Sequence, residues 1–488
     1  MSHGRTYEEQ RFSPLKKINK GGYLEATSST SVYKKANVIL VNVNCDLIRI
    51  KEKTEIDLKK FKNKFLKNNK NTASRNALIK NDLNTVALNW ENFSQINHHF
   101  SHLIEKELPA TNQMASGRCW GFAGLNLMRL EVVKQLGLTN FEFSQNYFMF
   151  WDKLEKANYF LENIIKTRDE DYESRLIMHL VKAPVQDGGQ WDMFVNLIEK
   201  YGAVPKDVMP ETNHSSKSMA MNYILTHKLR EFASILRKKP AKQSATLKKD
   251  MMETIYNLLA MFLGQPPEVV NWSTRDKDNK YISISDMTPK DFCKKYADIN
   301  IKDKVCLIHA PMSNKKFNTT YTVEYLGNVV EGQDIKYLNV EIAELKKSAM
   351  QSIKNNEAVW FGCDVGKRFS RDMGVLDMGI FDYENVFQTS FKMNKQTRLE
   401  YGDSEMTHAM LLTGVDVKNR KSAKWKIENS WGTKSGNKGY MMMTDEWFDE
   451  YTYEVVVDKK YLSKKLLKYL DIDPITLAPW DPMGALAQ

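Results

Sequence analysis

The stretch Gln113-Met-Ala-Ser-Gly-Arg-Cys119-Trp-Gly-Phe-Ala123 decides the fold. Gly117 permits a tight entry into a helix, and Trp120, Ala123, Leu127, Leu130 and Val133 then recur at helical spacing. Cys119 falls at the N-terminus of that helix, where unpaired backbone N–H groups and the positive dipole end favour a thiolate. A thiolate is the nucleophilic form of cysteine. Gln113, six residues earlier, can aim its amide at the same point and form a two-donor oxyanion hole with the Cys119 N–H. A lone cysteine opening a helix is more often a small buried hydrophobe, so the reading needs partners elsewhere in the chain.

Two downstream segments supply them. Met406-Thr-His408-Ala-Met-Leu-Leu-Thr-Gly414 reads as a strand with His408 at its start, and Ile427-Glu-Asn429-Ser-Trp431-Gly432 places Asn429 at the end of another. An imidazole base needs a group that holds its ring, and an Asn carbonyl can accept the ring N–H. Trp431 can cover that hydrogen bond and keep water from competing for it. A single His on a strand is usually a satisfied core or surface residue. The three motifs in the order Gln/Cys, His, Asn reverse those odds.

With these segments the chain resembles the papain-like cysteine peptidases, and more closely their bleomycin hydrolase/aminopeptidase C branch. The resemblance is carried by TNQxxSGRCWxFAGLN (111–126), DGGQWDMF (187–194), WFGCDVGK (360–367), THAMLLTGVD (407–416), ENSWGxxxGNKGYMMMxDEWFDEY (428–451) and PWDPMGALA (479–487), and spans about residues 55–488. It implies an α+β, papain-like two-layer fold: a helical layer, an antiparallel β-barrel-like layer, a catalytic cleft between them, helical insertions and a C-terminal tail in the cleft. It implies Cys119 as nucleophile, His408 as acid/base, Asn429 as the residue that orients it and Gln113 as oxyanion donor. Substrate-binding roles fall by the same resemblance on Gly188, Gly189, Trp431, Ala487 and Gln488. The tail's carboxylate, of Gln488 or Ala487, would pair with a substrate's free α-amine and restrict cleavage to N-terminal residues, including bleomycin-like amides. Assembly into a homohexamer and a cytoplasmic location follow from the resemblance alone. No cofactor is implied. Read without it, a tail of this composition is more often a frayed end, and Asp187-Gly188-Gly189 more often only a turn.

Spacing and composition set the remaining expectations. Cys119 and His408 are 289 residues apart, too far for a minimal papain-like domain, so helical insertions must fill the excess. The divisions read along the chain are a basic extension at 1–50, partly disordered, with an alternating run at 38–50; a helical layer at 51–205; a helical insertion or oligomerisation arm at 206–300; a β-rich layer at 301–470; and a specificity tail at 471–488. Lysines around Leu58, Phe61, Phe65 and Leu66 suit a basic amphipathic helix. Strands are expected near 357–363, 408–417, 424–428, 439–444 and 452–457, and a helix near 339–354.

The formal charge is +11, but residues 1–83 carry 18 Lys/Arg against 8 Asp/Glu, so the other 405 residues are nearly neutral. A basic nucleic-acid-binding protein with a secondary peptidase site is therefore the rival reading, although no aromatic-interleaved RNA motif or zinc-finger spacing accompanies the lysines. A Cys/His acyltransferase of transglutaminase type is another, against which Asn429-Ser-Trp-Gly argues. The five cysteines form no CxxC and leave one unpaired, which fits a reducing compartment. No apolar run suits a membrane span or secretory signal. His98 and His102 stand at i, i+4 without a third ligand, so no metal is expected.

Overall fold

The computed structural model describes residues 56–487; the 1–50 extension, including its alternating run at 38–50, and Gln488 lie outside the described residues. The chain divides after Asn81. Before that point Leu58, Phe61, Phe65 and Leu66 lie in one basic helix, Leu58–Lys67, and a second, Asn69–Leu78, follows it. Asn68 separates them: its side chain accepts from the Lys70 N–H and caps the second helix while its own backbone is extended.

From Asp82 onward a helical layer packs on a large sheet. The helices that position the site are α1 (Cys119–Leu136), α2 (Gln145–Lys166), α3 (Trp191–Tyr201), α4 (Met219–Lys238), α5 (Ser244–Leu263) and α6 (Ile342–Lys354). Helix α1 is apolar nearly all round, as a helix must be when it is enclosed on every side. It is buried from Cys119 through Arg129 and ends on Gly137 in the left-handed conformation. Its glycines are contact points. A Cβ on Gly124 would lie 2.5 Å from the Phe194 ring of α3, and one on Gly121 would lie 2.4 Å from the Phe148 ring of α2. Phe148 therefore fills the space that a larger residue at 121 would take.

The central strands are β1 (Lys304–Ile308), β2 (Val359–Cys363), β3 (His408–Lys418), β4 (Lys421–Glu428), β5 (Tyr440–Thr444) and β6 (Thr452–Asp458), in the spatial order β1-β6-β2-β3-β4-β5 with antiparallel neighbours. Twelve strands join this sheet among the described residues, and three peripheral pairings are parallel, so the β layer is mixed at its margins. One core lies between helices and sheet, where Trp120, Trp191 and Trp360 are fully buried and the Trp360 indole donates to the Trp120 carbonyl at 3.1 Å. A second lies on the sheet's other face, under α6 and around Trp447 and Phe448.

The stretch 206–300 differs from the all-helical expectation. Beside α4 and α5 it contains a hairpin, Val270–Arg275 with Tyr281–Met287. The turn is closed by Asp276, which accepts from the N–H groups of Asp278 and Lys280, and by Asn279 in the left-handed region. The alternation of Trp272, Ile282 and Ile284 with polar residues is the signal that reads as strand there.

The tail is not frayed. Ile475–Leu477 adds a parallel edge strand beside Thr319–Val323. Asp481 then receives the Met483 N–H at 2.9 Å and the buried Lys315 ammonium at 2.7 Å. Trp480 lies under the Arg175 guanidinium at 4.0 Å from ring centroid to Cζ.

Candidate active site

Cys119 is the first residue of α1 and is fully buried. Its sulfur faces the backbone N–H groups of Ala409, Trp120 and Cys119 itself. The contact with Ala409 ties the start of α1 to the start of β3, one residue from His408. Burial nevertheless outweighs the helix terminus: desolvation, with a smaller contribution from Asp187, pushes the thiol up to about 12 against the three N–H groups. The N–H groups at the helix start favour the thiolate as expected, but removing the sulfur from water costs its anion more than they return.

His408 heads β3 opposite Cys363 of β2. Its Nε2 lies 2.9 Å from Asn429 Oδ1, just past the end of β4. The same Oδ1 accepts from the Ser430 N–H at 2.7 Å, and Asn429 Nδ2 faces Met441 Sδ at 3.5 Å, so the amide has one orientation and the ring N–H points to its oxygen. Trp431 covers this pair, with ring centroids 5.0 Å from His408, and Arg371 sits 4.5 Å over the outer face of Trp431. Burial lowers the imidazole to about 4; the Asn429 bond opposes that shift and the Arg371 charge adds to it. The imidazole is therefore neutral at pH 7, with Nδ1 left to act as a base.

Gln113 is brought to the same place. Its backbone N–H donates to the Ser430 carbonyl at 2.9 Å, and Ser430 Oγ donates to Gln113 Oε1 at 2.7 Å. This fixes which end of the amide is nitrogen. One Nε2 hydrogen goes to the Ser116 carbonyl at 2.7 Å, and the amide carries a second. Ser430, which sequence reading passed over, thus joins the Gln113 and Asn429 segments. Its only sequence signal is adjacency to Asn429.

The Asp187-Gly188-Gly189 segment is a built structure. Asp187 accepts from the Gly117 N–H at 2.9 Å, Lys153 Nζ at 2.6 Å, Asn222 Nδ2 at 2.7 Å and the Ser218 hydroxyl. Burial alone would raise its carboxyl; Lys153 and the Ser218 and Asn222 donors reverse that and hold it well below the usual carboxylate range. Lys156 donates to the carbonyls of Gln186 and Gly188, and Lys153 to that of Val185. A Cβ on Gly189 would strike the Trp120 indole at 2.4 Å. Gly189 donates its N–H to the Ala487 carbonyl at 3.2 Å, an antiparallel bridge, and Gln190 Nε2 donates to the Ala485 carbonyl at 2.5 Å. The structure thus brings Gly189 and Ala487 together beside the helix that bears Cys119.

A helix-borne thiol, a strand-borne imidazole and a carboxamide, drawn from the two layers of an α+β papain-like fold, define the class of cysteine peptidases. The Peptidase C1-like family matches residues 52–484, and the chain belongs to that family. It is 49% identical over 432 residues to aminopeptidase C of Listeria innocua serovar 6a, covering 88% of this chain and 98% of that one. It is 46% identical over 429 residues to human bleomycin hydrolase, covering 85% and 94%. Crystalline PepW of Lactobacillus rhamnosis superposes with a TM-score of 0.87 at 45% identity, over 89% of this chain and all of the other.

Proposed function

We propose that the chain is a cysteine aminopeptidase that removes N-terminal residues from peptides with a free α-amine. The observation that carries this reading is the Gly189–Ala487 bridge: the cleft edge that would hold further substrate residues on the amino side is occupied by the chain's own tail. In the proposed reaction the Cys119 sulfur attacks the first peptide carbonyl while its proton passes to His408 Nδ1. The oxyanion is held by the Cys119 N–H and the second Gln113 Nε2 hydrogen. His408 returns the proton to the leaving amine as the C–N bond breaks. A water, deprotonated by His408, then adds to the thioester and the C–S bond breaks to release the amino acid. Asn429 keeps the ring in the required tautomer, and Trp431 keeps the bond between them dry.

Two further readings rest on the family resemblance. The chain acts in the cytoplasm, and it assembles as a homohexamer with residues 206–300 as the joining arm. Exposed Met261 on α5 agrees with a surface that another copy covers. The nucleic-acid alternative draws on the basic excess of residues 1–83, part of which precedes residue 52, where the family match starts.

Removing residues 485–488 tests the tail. The shortened chain is expected to cleave N-blocked peptides internally, whereas the full chain leaves them intact; mass spectrometry of the products reads the difference. Identical product ladders from both chains would refute the tail's role.

A further inference from the structure

A cavity of about 530 Å³ opens beside the site, between the Ala183–Asp187 segment and one face of α4. Gly117, two residues before Cys119, forms part of its wall. The cavity thus reaches the entry to the helix of Cys119, while along Gly189 the cleft is taken by Ala487. Four acidic or basic side chains line it: Asp187, Lys182, His227 and Arg230. They are not balanced. Asp187 is consumed by Lys153 and three other donors, as described above. Arg230 is held in place by donating from Nε to the Val181 carbonyl and from Nη2 to the Lys182 carbonyl, each at 2.8 Å, which leaves Nη1 over. The rest of the lining is apolar or neutral, with Val185, Met219, Tyr223 and Thr226.

We infer that this cavity receives the side chain of the substrate's first residue and that Arg230, His227 and Lys182 make the chain favour glutamate over lysine there. The inference rests on the proposed thiol peptidase reading and adds the selectivity of its first subsite. A lysine side chain entering the cavity meets cations with no free carboxylate to answer it, whereas a glutamate carboxylate can reach the guanidinium of a pre-positioned arginine. Discrimination by such repulsion needs no change in the reacting residues.

The test compares glutamyl, methionyl and lysyl coumarinyl amides with the full-length chain. The glutamyl substrate is expected to exceed the lysyl one in kcat/KM by about tenfold or more, an effect of the size that one or two partly screened charges produce. His227→Glu places a carboxylate at an exposed position of the lining and leaves the bracing of Val181 and Lys182 intact. It is expected to lower the glutamyl-to-lysyl ratio at least about fivefold. Arg230→Gln should move the ratio in the same direction, and the methionyl substrate reports whether each variant remains folded and active. A wild-type preference for lysine would overturn the inference, as would an unchanged ratio in both variants while all three amides are cleaved. Failure of the wild-type chain to cleave any of them would instead overturn the peptidase reading, and the inference with it.

Discussion

Cys119→Ala is expected to lower kcat/KM on an unblocked peptide by about 10⁴-fold or more while leaving thermal unfolding nearly unchanged, since the exchange removes one buried sulfur. The size of the effect follows from the electrostatics of the site. Burial pushes the Cys119 thiol up to about 12 and the His408 imidazole down to about 4, so neither carries its charge alone at pH 7. The nucleophile can then arise only by proton transfer from sulfur to ring, which creates both charges together. Two residues that act as one unit give non-additive losses. Cys119→Ala with His408→Ala should therefore be no slower than either single variant. The pH dependence has a definite sign: His408 is a neutral acceptor above about 4 and is lost as acceptor when pH falls through that value. The acid limb of kcat/KM should lie well below the 6.5 of an unperturbed imidazole. A limb at 6.5, or a Cys119→Ala variant within tenfold of wild type, would contradict this account.

The parts of the site that sequence made legible are those whose chemistry is confined to a few neighbouring residues. Gly117, Arg118 and Cys119 announce a helix start, and Asn429-Ser-Trp431 announces a strand end with a covering ring. The strands at 359–363, 408–418 and 452–458 show as short apolar runs because both faces of that sheet are buried. What escaped notice depends on partners distant in the chain. Lys153 and Lys156 sit three residues apart on α2 and read as ordinary charges on an amphipathic helix. In the structure both are buried, and they hold the carbonyls of the 185–188 segment. Arg129 reads as one more polar residue on α1, yet it is buried against Glu428 at 2.6 Å, across 299 positions. That pair ties the helix of Cys119 to the strand that leads into Asn429. The effect of burial on the thiol was hidden for the same reason. A helix terminus is a local feature, whereas desolvation depends on everything packed around it.

The largest stability effect is expected at Asp187, and it bears on catalysis through Gly117. Asp187→Ala removes the counter-charge of Lys153, whose side chain is fully buried, and leaves an ammonium stranded in the interior. Breaking a buried pair from one side costs about 3–5 kcal/mol. It also frees the Gly117 N–H, two residues from the thiol, so the variant that still folds should lose kcat/KM as well. Replacing both members, Lys153→Met with Asp187→Ala, should cost less than the sum of the single changes, because no unpaired charge remains. The linkage has a fixed direction. The folded-state pKa of Asp187 lies below its unfolded value near 3.8, so its contribution is present above that value and is lost as pH falls below it. Wild-type stability in urea should therefore drop below about pH 4. The double variant should lose less over the same interval. An Asp187→Ala midpoint within the equivalent of about 1 kcal/mol of wild type would show that water or a relaxed loop reaches Lys153, and the segment's rigidity would then need another source.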